Sequence, residues 1–177
     1  MFRHRHEEER QAPMDFGPQR YQMREKLLTI GDDFWIENAH GQRAYKVDGK
    51  VLRVRNTLNL EDAHGHVVAQ VQERMLRVRD SMAIERDGRK IAEVHKAFVN
   101  ILRDHFRIVQ TGGPDMEARG NILDHEYKIT QNGHPVAEVS KKWFRIRDTY
   151  GIEVEPGQDD ALVLMVTICI DQMAGQE

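Results

Sequence analysis

The side chains best suited to ligand chemistry are arginines that recur in pairs, with one apolar residue between the two members. The pairs, with a lysine pair just before the last of them, are Arg53 and Arg55, Arg77 and Arg79, Lys141 and Lys142, and Arg145 and Arg147. Residues i and i+2 of a strand project from one face. Arginine presents a planar fork of donors that suits phosphate. The pattern predicts basic strand faces that bind an anion. An ordinary solvated face, neutralised by nearby carboxylates, is the alternative.

The sequence contains no motif of the common enzyme classes. It has no G-x-S-x-G nucleophile elbow, no phosphate-binding P-loop and no H-E-x-x-H zinc motif. The single cysteine, Cys169, lies in the most apolar stretch of the chain, where burial would suppress thiolate formation. His64 and His66 form an H-x-H pair that could ligate zinc, but no cysteine or acidic residue completes a convincing set. We therefore predict a non-enzymatic protein with no catalytic residue, no cofactor and no metal site.

Length and charge limit the class of protein further. The chain has 177 residues, a size typical of one domain with its own core, and a net charge of -3, which does not favour nucleic-acid binding by the whole molecule. The N-terminal segment is mixed in charge, contains two prolines and lacks the apolar region of a signal peptide. We predict a disordered tail at residues 1–20 and a single folded domain at residues 21–174. We expect a cytoplasmic location that allows peripheral contact with a membrane.

The elements that would position the arginines are strands of a repeated hairpin. Its four copies read GQRAYKV, GHVVAQV, GRKIAEV and GHPVAEV, at residues 41–47, 65–71, 88–94 and 133–139. The leading glycine suits a tight turn with positive φ, and the alternation after it suits a strand with one buried face. The loop signal TGGPD at residues 111–115 separates the third copy from the fourth. Four copies in one register predict an all-β meander or barrel.

The last apolar segment covers residues 161–170 and is polar only at Thr167. As a helix it would be about 15 Å long, whereas a bilayer requires about twenty apolar residues, so we predict no membrane span. Its many β-branched residues leave a strand as an alternative, but strict alternation is absent. Asp159 or Asp160 could cap a helix here. A helix that is apolar on all sides should be buried on all sides, and a barrel that needs filling would bury it.

Four stretches carry a resemblance to a known family. They are MREKLLTIGDDFWIENAHGQRAYKVDGK, MLRVRDSMAIERDGRKIAEV, GHPVAEVSKKWFRIRDTYGIEV and DDALVLMVTICIDQM. In their combination and order, over residues 21–174, they resemble the LURP-one-related family of the tubby C-terminal-like superfamily, which also includes the phospholipid scramblases. The resemblance implies a closed antiparallel β-barrel of about a dozen strands around a buried hydrophobic C-terminal helix.

The resemblance also implies a ligand. Tubby-like domains bind phosphoinositide headgroups through basic surface residues, and scramblases act on phospholipid bilayers. The candidate ligand is therefore an anionic lipid headgroup or another phosphate-bearing molecule, bound by the arginine and lysine pairs. Trp143, beside the lysines, could lie at a membrane surface. Scramblases also carry an acidic segment before the terminal helix that has been proposed to bind calcium, but the matching stretch, residues 147–164, lacks the spacing of a calcium loop.

Three classes of function remain open from the sequence, and nucleic-acid binding by the same basic strands is a fourth that the net charge does not favour. The first is a binding module for an anionic phospholipid or membrane surface. The second is a protein-interaction or regulatory scaffold with a protein partner, which an apolar surface patch would favour. The third is scramblase-like lipid transport, which the short terminal segment disfavours.

Overall fold

The computed structural model describes residues 17–24, 33–48, 57–72, 81–97, 105–144 and 148–174. Within these ranges the chain forms twelve β-strands and a C-terminal α-helix. The strands are β1 (Gln19–Arg24), β2 (Phe34–Asn38), β3 (Arg43–Asp48), β4 (Thr57–Asp62), β5 (Val67–Gln72), β6 (Ser81–Arg86), β7 (Arg89–Ala97), β8 (His105–Gln110), β9 (Met116–Asn121), β10 (Glu126–Gln131), β11 (His134–Ser140) and β12 (Thr149–Val154). The helix, α1, spans Asp160–Ala174, and a 3-10 turn spans Lys141–Trp143 after β11.

The strands form one closed antiparallel barrel. Each strand pairs with its neighbours in sequence, and β1 pairs with β12 to complete the circle. The closing register runs from Gln19 opposite Val154 to Arg24 opposite Thr149. Closure pairs the backbone groups that an edge strand would expose. The predicted barrel of about a dozen strands is therefore confirmed.

The repeated glycines open the second strand of four hairpins, which are β2–β3, β4–β5, β6–β7 and β10–β11. Two of these hairpins have two-residue turns in which both residues have positive φ. The φ angles are 51° at Asp87 and 71° at Gly88, and 51° at Asn132 and 78° at Gly133. Such turns match the twist of paired strands and favour Asp-Gly and Asn-Gly. Residues 111–115 connect β8 to β9, which confirms the predicted loop between the third and fourth copies.

Alternation along the strands separates the core from the outer wall. In β1, Tyr21 and Met23 are buried, whereas Arg20 and Arg24 are exposed. Because β1 begins at Gln19, just before the predicted start of the domain at residue 21, Gln19 and Arg20 belong to the barrel and not to a tail. The rest of the predicted tail, residues 1–16, lies outside the described residues.

Helix α1 fills the inside of the barrel. Every residue of the stretch Ala161–Ile170 is buried. Asp159 caps the helix by accepting a hydrogen bond from the N–H of Leu162 at 3.0 Å. Thr167 donates its hydroxyl hydrogen to the carbonyl oxygen of Val163 at 3.0 Å, so the polar residue in the apolar run is satisfied within the helix. The predicted core helix is confirmed. Among the helices of the described ranges, none has the length and apolar character needed to cross a membrane.

Candidate anionic-ligand surface

The structure tests only part of the predicted anion-binding set. Six of its members lie outside the described residues: Arg53, Arg55, Arg77, Arg79, Arg145 and Arg147. Lys141 and Lys142 are described, and they lie in the 3-10 turn after β11. The strand ends at Ser140, so the two lysines do not extend a strand face as the repeat pattern implied.

Two side chains that accept hydrogen bonds fix the turn that carries the lysines. The hydroxyl of Ser140 accepts from the N–H of Lys142 at 3.1 Å. Glu126 of β10 accepts from the N–H of Lys141 at 3.1 Å and from the hydroxyl of Ser140 at 3.0 Å. The carboxylate of Glu126 also lies 3.4 Å from Nζ of Lys142, whose side chain remains 81% exposed. The backbone of the turn is thus held in place while the Lys142 ammonium stays accessible to solvent.

An aromatic pair packs on the outer wall next to the lysines. Trp143 and Phe144 are half-buried. Gly151 of β12 faces outward, because its neighbours Tyr150 and Ile152 are buried in the core. A Cβ at Gly151 would lie 2.6 Å from Cε2 of Phe144 and 2.8 Å from Cε3 of Trp143, which is closer than carbon atoms approach. Glycine at this position therefore allows both rings to lie against the strand.

Arg20 brings a third cation to this surface. Its guanidinium carbon lies 5.4 Å from the centroid of the Trp143 ring, within the range of a cation–π interaction. Arg20 stands opposite Glu153 in the register of β1 with β12 and forms an ion pair with it. Sequence reasoning missed Arg20 because it placed this residue in the tail. We call the set that surrounds the indole the Trp143 platform: Arg20, Lys141, Lys142, Trp143 and Phe144.

Carboxylates lie beside the cations of the Trp143 platform. Glu153 pairs with Arg20, and Glu126 lies beside Lys142. The side chain of Arg20 is 51% exposed. Ion pairs this exposed contribute about 0–1 kcal/mol, so a phosphate group can compete for the same donors. The arrangement is suited to an anion that also contacts an aromatic surface.

A second cluster of polar side chains lies where α1 begins. The hydroxyl of Tyr21 donates a hydrogen bond to Asp160, and the ring of Tyr45 packs edge-on against Tyr21 with 5.8 Å between centroids. Burial, with the hydrogen bond to Asp160 second, raises the pKa of Tyr21. Burial also raises the pKa of Tyr45 and of Asp160. These groups join the first turn of the helix to β1 and β3, which is a structural role.

Asp159 joins the same end of α1 to the barrel wall. Arg86 at the end of β6 donates to both carboxylate oxygens of Asp159, at 2.8 Å and 3.1 Å. Burial raises the pKa of Asp159, but the hydrogen bonds from Arg86 and from the N–H of Leu162 outweigh it, and the pKa lies below its ordinary value. Asp159 and Asp160 belong to the acidic stretch considered for calcium. Across the described ranges, no group of three or more His, Cys, Asp or Glu side chains is placed to hold a metal ion.

A third cluster, which the sequence did not indicate, lies at the other end of α1. Asp171 accepts a hydrogen bond from the hydroxyl of Tyr150 and lies 3.3 Å from Nε2 of His125. The rings of His125 and Tyr150 stack with 4.2 Å between centroids, and the side chains of His125 and Asp171 are each only 13% exposed. The cluster ties the last turns of the helix to β12 and to the β9–β10 turn.

Cys169 lies in α1 and is buried. Burial raises the pKa of its thiol, so the group is protonated at neutral pH. A buried thiol of this kind is a poor nucleophile, and Cys169 belongs to the hydrophobic core.

Known proteins that resemble this chain share its barrel. The family model described as LURP-one-related matches residues 19–171. Among solved structures, the chain is similar to an X-ray structure of a protein from Arabidopsis thaliana, with a TM-score of 0.67 and 16% sequence identity, over 90% of this chain and 93% of that chain. At this identity the likeness concerns the fold alone. No curated protein matches the chain significantly.

Proposed function

We propose that this chain, which belongs to the LURP-one-related family, is a non-enzymatic binding module for an anionic lipid headgroup or another phosphate-bearing ligand. The Trp143 platform carries the proposal, because it sets a half-buried indole beside Arg20, Lys141 and Lys142. Indole rings favour the interfacial zone of a bilayer, and lysine and arginine favour anionic headgroups. On this proposal the protein contacts the membrane peripherally, through the outer wall of its barrel.

The arginine pairs extend the proposal to residues outside the described ranges. Arg145 and Arg147 come directly after Phe144 in the sequence, so the basic stretch continues beyond the platform. The pairs of the earlier repeats are proposed on the sequence pattern alone: Arg53, Arg55, Arg77 and Arg79. Arginine suits this role because its donors bind phosphate oxygens two at a time.

Co-sedimentation with phosphatidylcholine vesicles, with and without phosphatidylserine, tests the proposal. A lysine near an anionic surface contributes about 1 kcal/mol, so the double variant Lys141→Gln/Lys142→Gln should bind about thirtyfold more weakly at low salt. The matched control is Lys90→Gln/Arg107→Gln, which removes the same charge from exposed side chains on β7 and β8, across the barrel from β1. We expect the control to bind like the original protein. A lack of phosphatidylserine-dependent binding, or an equal loss in both double variants, would contradict the proposal.

A second arm separates the two sources of phosphate. Titration with inorganic pyrophosphate, in the absence of vesicles and followed by calorimetry, reports binding of a soluble phosphate ligand. A protein that recognises the headgroup only in a membrane should release no heat of binding in this titration. Binding in either arm that depends on Lys141 and Lys142 supports the proposal, and the arm in which it occurs identifies the source.

A further inference from the structure

In the described part of the chain, β1 and β2 pair over only two residues each. The last paired residues of these strands are Gln22 and Glu37. The same register would next place Met23 opposite Ile36 and then Arg24 opposite Trp35, but within the described residues the pairing of β1 with β2 goes no further. On its other side β1 stays paired with β12 as far as Arg24, and β2 is paired with β3 from Phe34 onward. A groove of about 300 Å³ lies beside the end of this pairing.

Charged side chains of both signs and aromatic rings line this β1–β2 groove. The described residues that carry its chemistry are Arg24, Asp33, Phe34, Trp35, Glu37 and Arg43. Arg24 follows the buried Met23, and Glu37 follows the buried Ile36, so alternation turns both of these charged side chains toward the outside of the barrel. The groove therefore lies on the outer wall, where a small molecule from solvent can reach it.

Three of these charges are free to bind a ligand. Asp33 is paired with Lys46 at 2.9 Å. In the described part of the chain, Arg24, Glu37 and Arg43 have no side-chain ion pair or hydrogen bond. The guanidinium carbon of Arg43 lies 4.9 Å from the ring centroid of Trp35, a contact that orients the side chain without using its hydrogen-bond donors. The groove thus offers two guanidinium groups and one carboxylate beside an aromatic surface.

We propose that the β1–β2 groove binds a small zwitterion, a molecule that joins a primary ammonium group to a carboxylate or a phosphate. Arg24 and Arg43 hold the anionic group, Glu37 holds the ammonium group, and Trp35 covers the apolar part between them. A simple anion leaves Glu37 unpaired beside it, and a simple cation faces two guanidinium groups, so charge complementarity selects a ligand with both. The groove volume is at the lower end of the range for ligand sites, which suits a dipeptide or a single headgroup.

The groove is distinct from the Trp143 platform, because it uses Arg24 and Trp35 where the platform uses Arg20 and Trp143. Zwitterion binding and vesicle binding can therefore succeed or fail separately.

Tryptophan fluorescence tests the proposal. The chain has two tryptophans, so a Trp143→Phe background leaves Trp35 as the single reporter. The zwitterionic probes are glycylglycine and glycerophosphoethanolamine, which present a carboxylate and a phosphate respectively. The probes that carry charge of only one sign are glycerol phosphate and ethanolamine. We expect saturable changes in Trp35 emission with at least one zwitterion, and binding of the one-sign probes that is about tenfold weaker or more. Preference between the zwitterions distinguishes a peptide-like ligand from a lipid headgroup, and either preference supports the proposal.

Side-chain variants assign the contacts. Glu37→Gln should lower zwitterion affinity about tenfold while tightening glycerol phosphate binding, because a like charge beside the phosphate is removed, and Arg24→Gln should weaken both. The matched controls Glu117→Gln and Arg119→Gln change exposed charges on β9 and should change neither. Backbone amide chemical shifts at Gln22 and Glu37 provide a second readout on the same samples and show that each variant is folded. The proposal is overturned if neither readout saturates with a zwitterion, if glycerol phosphate binds as tightly as both zwitterions, or if Glu37→Gln and Arg24→Gln bind like the controls.

Discussion

Replacing Leu164 tests whether α1 is the core on which the barrel depends. Leu164 has 0% exposure in the middle of the helix. Truncating a leucine at such a site to alanine lowers the free energy of unfolding by about 2.7–5 kcal/mol, because contacts are lost and a cavity remains. Domains of this size have a free energy of unfolding of about 5–15 kcal/mol, so Leu164→Ala should fold with much reduced stability. Leu164→Asp places a carboxylate among apolar side chains, and its desolvation should prevent folding altogether.

Urea denaturation, followed by circular dichroism, measures the effect. With a denaturant dependence of about 1–3 kcal/mol per molar urea, Leu164→Ala should lower the midpoint by roughly 1–5 M. Leu123 supplies the control, because it lies at the β9–β10 turn with 60% exposure. Leu123→Ala and Leu123→Asp should each change the free energy of unfolding by less than about 0.5 kcal/mol. A soluble Leu164→Asp protein with a cooperative unfolding transition would refute the reasoning, as would equal losses in Leu164→Ala and Leu123→Ala.

Three other substitutions test contacts at the Trp143 platform and at the two ends of α1. Gly151→Ala should force the neighbouring rings off β12, which shifts the emission of Trp143 to longer wavelength and weakens vesicle binding; an unchanged spectrum would disprove the contact. Arg86→Gln should lower the free energy of unfolding at neutral pH by about 0.2–1 kcal/mol. The pKa of Asp159 is lower in the folded protein than its value of about 4 in the unfolded chain, so its ion pair with Arg86 stabilises the fold above pH 4. This stability is lost as the pH falls through the folded pKa. The denaturation midpoints of the original protein and of Arg86→Gln should therefore converge in acid and not diverge. Asp171→Ala removes the acceptor of the Tyr150 hydroxyl and the carboxylate beside His125. It should lower stability by about 1–3 kcal/mol, with faster amide hydrogen exchange in the last turn of α1 than in the first.

The features that the sequence predicts are those that depend on local spacing. The turn at Asp87 and Gly88 and the turn at Asn132 and Gly133 need positive φ, and glycine after Asp or Asn signals this without knowledge of the fold. The stretch Ala161–Ile170 is likewise too apolar for any exposed position and too short to span a bilayer, which leaves the inside of the barrel. The turns are read from adjacent residues, and the burial of the helix from its own composition together with the four repeats that predict the barrel.

The sequence predicts Lys141, Lys142 and Trp143 as candidates but not the complete Trp143 platform, because Arg20 joins them through the closure of the barrel. Arg20 reaches Trp143 only because β1 pairs with β12, a contact between the two ends of the folded chain. Gly151 has no turn to explain it, and its role appears only when the rings that cover it are placed. His125 and Asp171 are separated in the sequence and meet only where the helix ends inside the barrel. A sequence pattern carries no signal for such pairs unless the strand register is known.

Helix α1 occupies the interior of the barrel, so both proposed sites lie on the outer wall. Strand β1 contributes a residue to each of them. Arg20 and Arg24 lie on the outward face of one strand, at a separation of about 13 Å from the rise per residue. This exceeds the Debye length of about 8 Å at physiological ionic strength but not the value of about 30 Å at 0.01 M, so the two sites should be electrostatically coupled only at low salt. If Arg24→Gln weakens vesicle binding at low salt but not at physiological salt, the effect reflects the electrostatic field that the two sites share. If the variant weakens vesicle binding at physiological salt as well, the platform and the groove form one continuous surface.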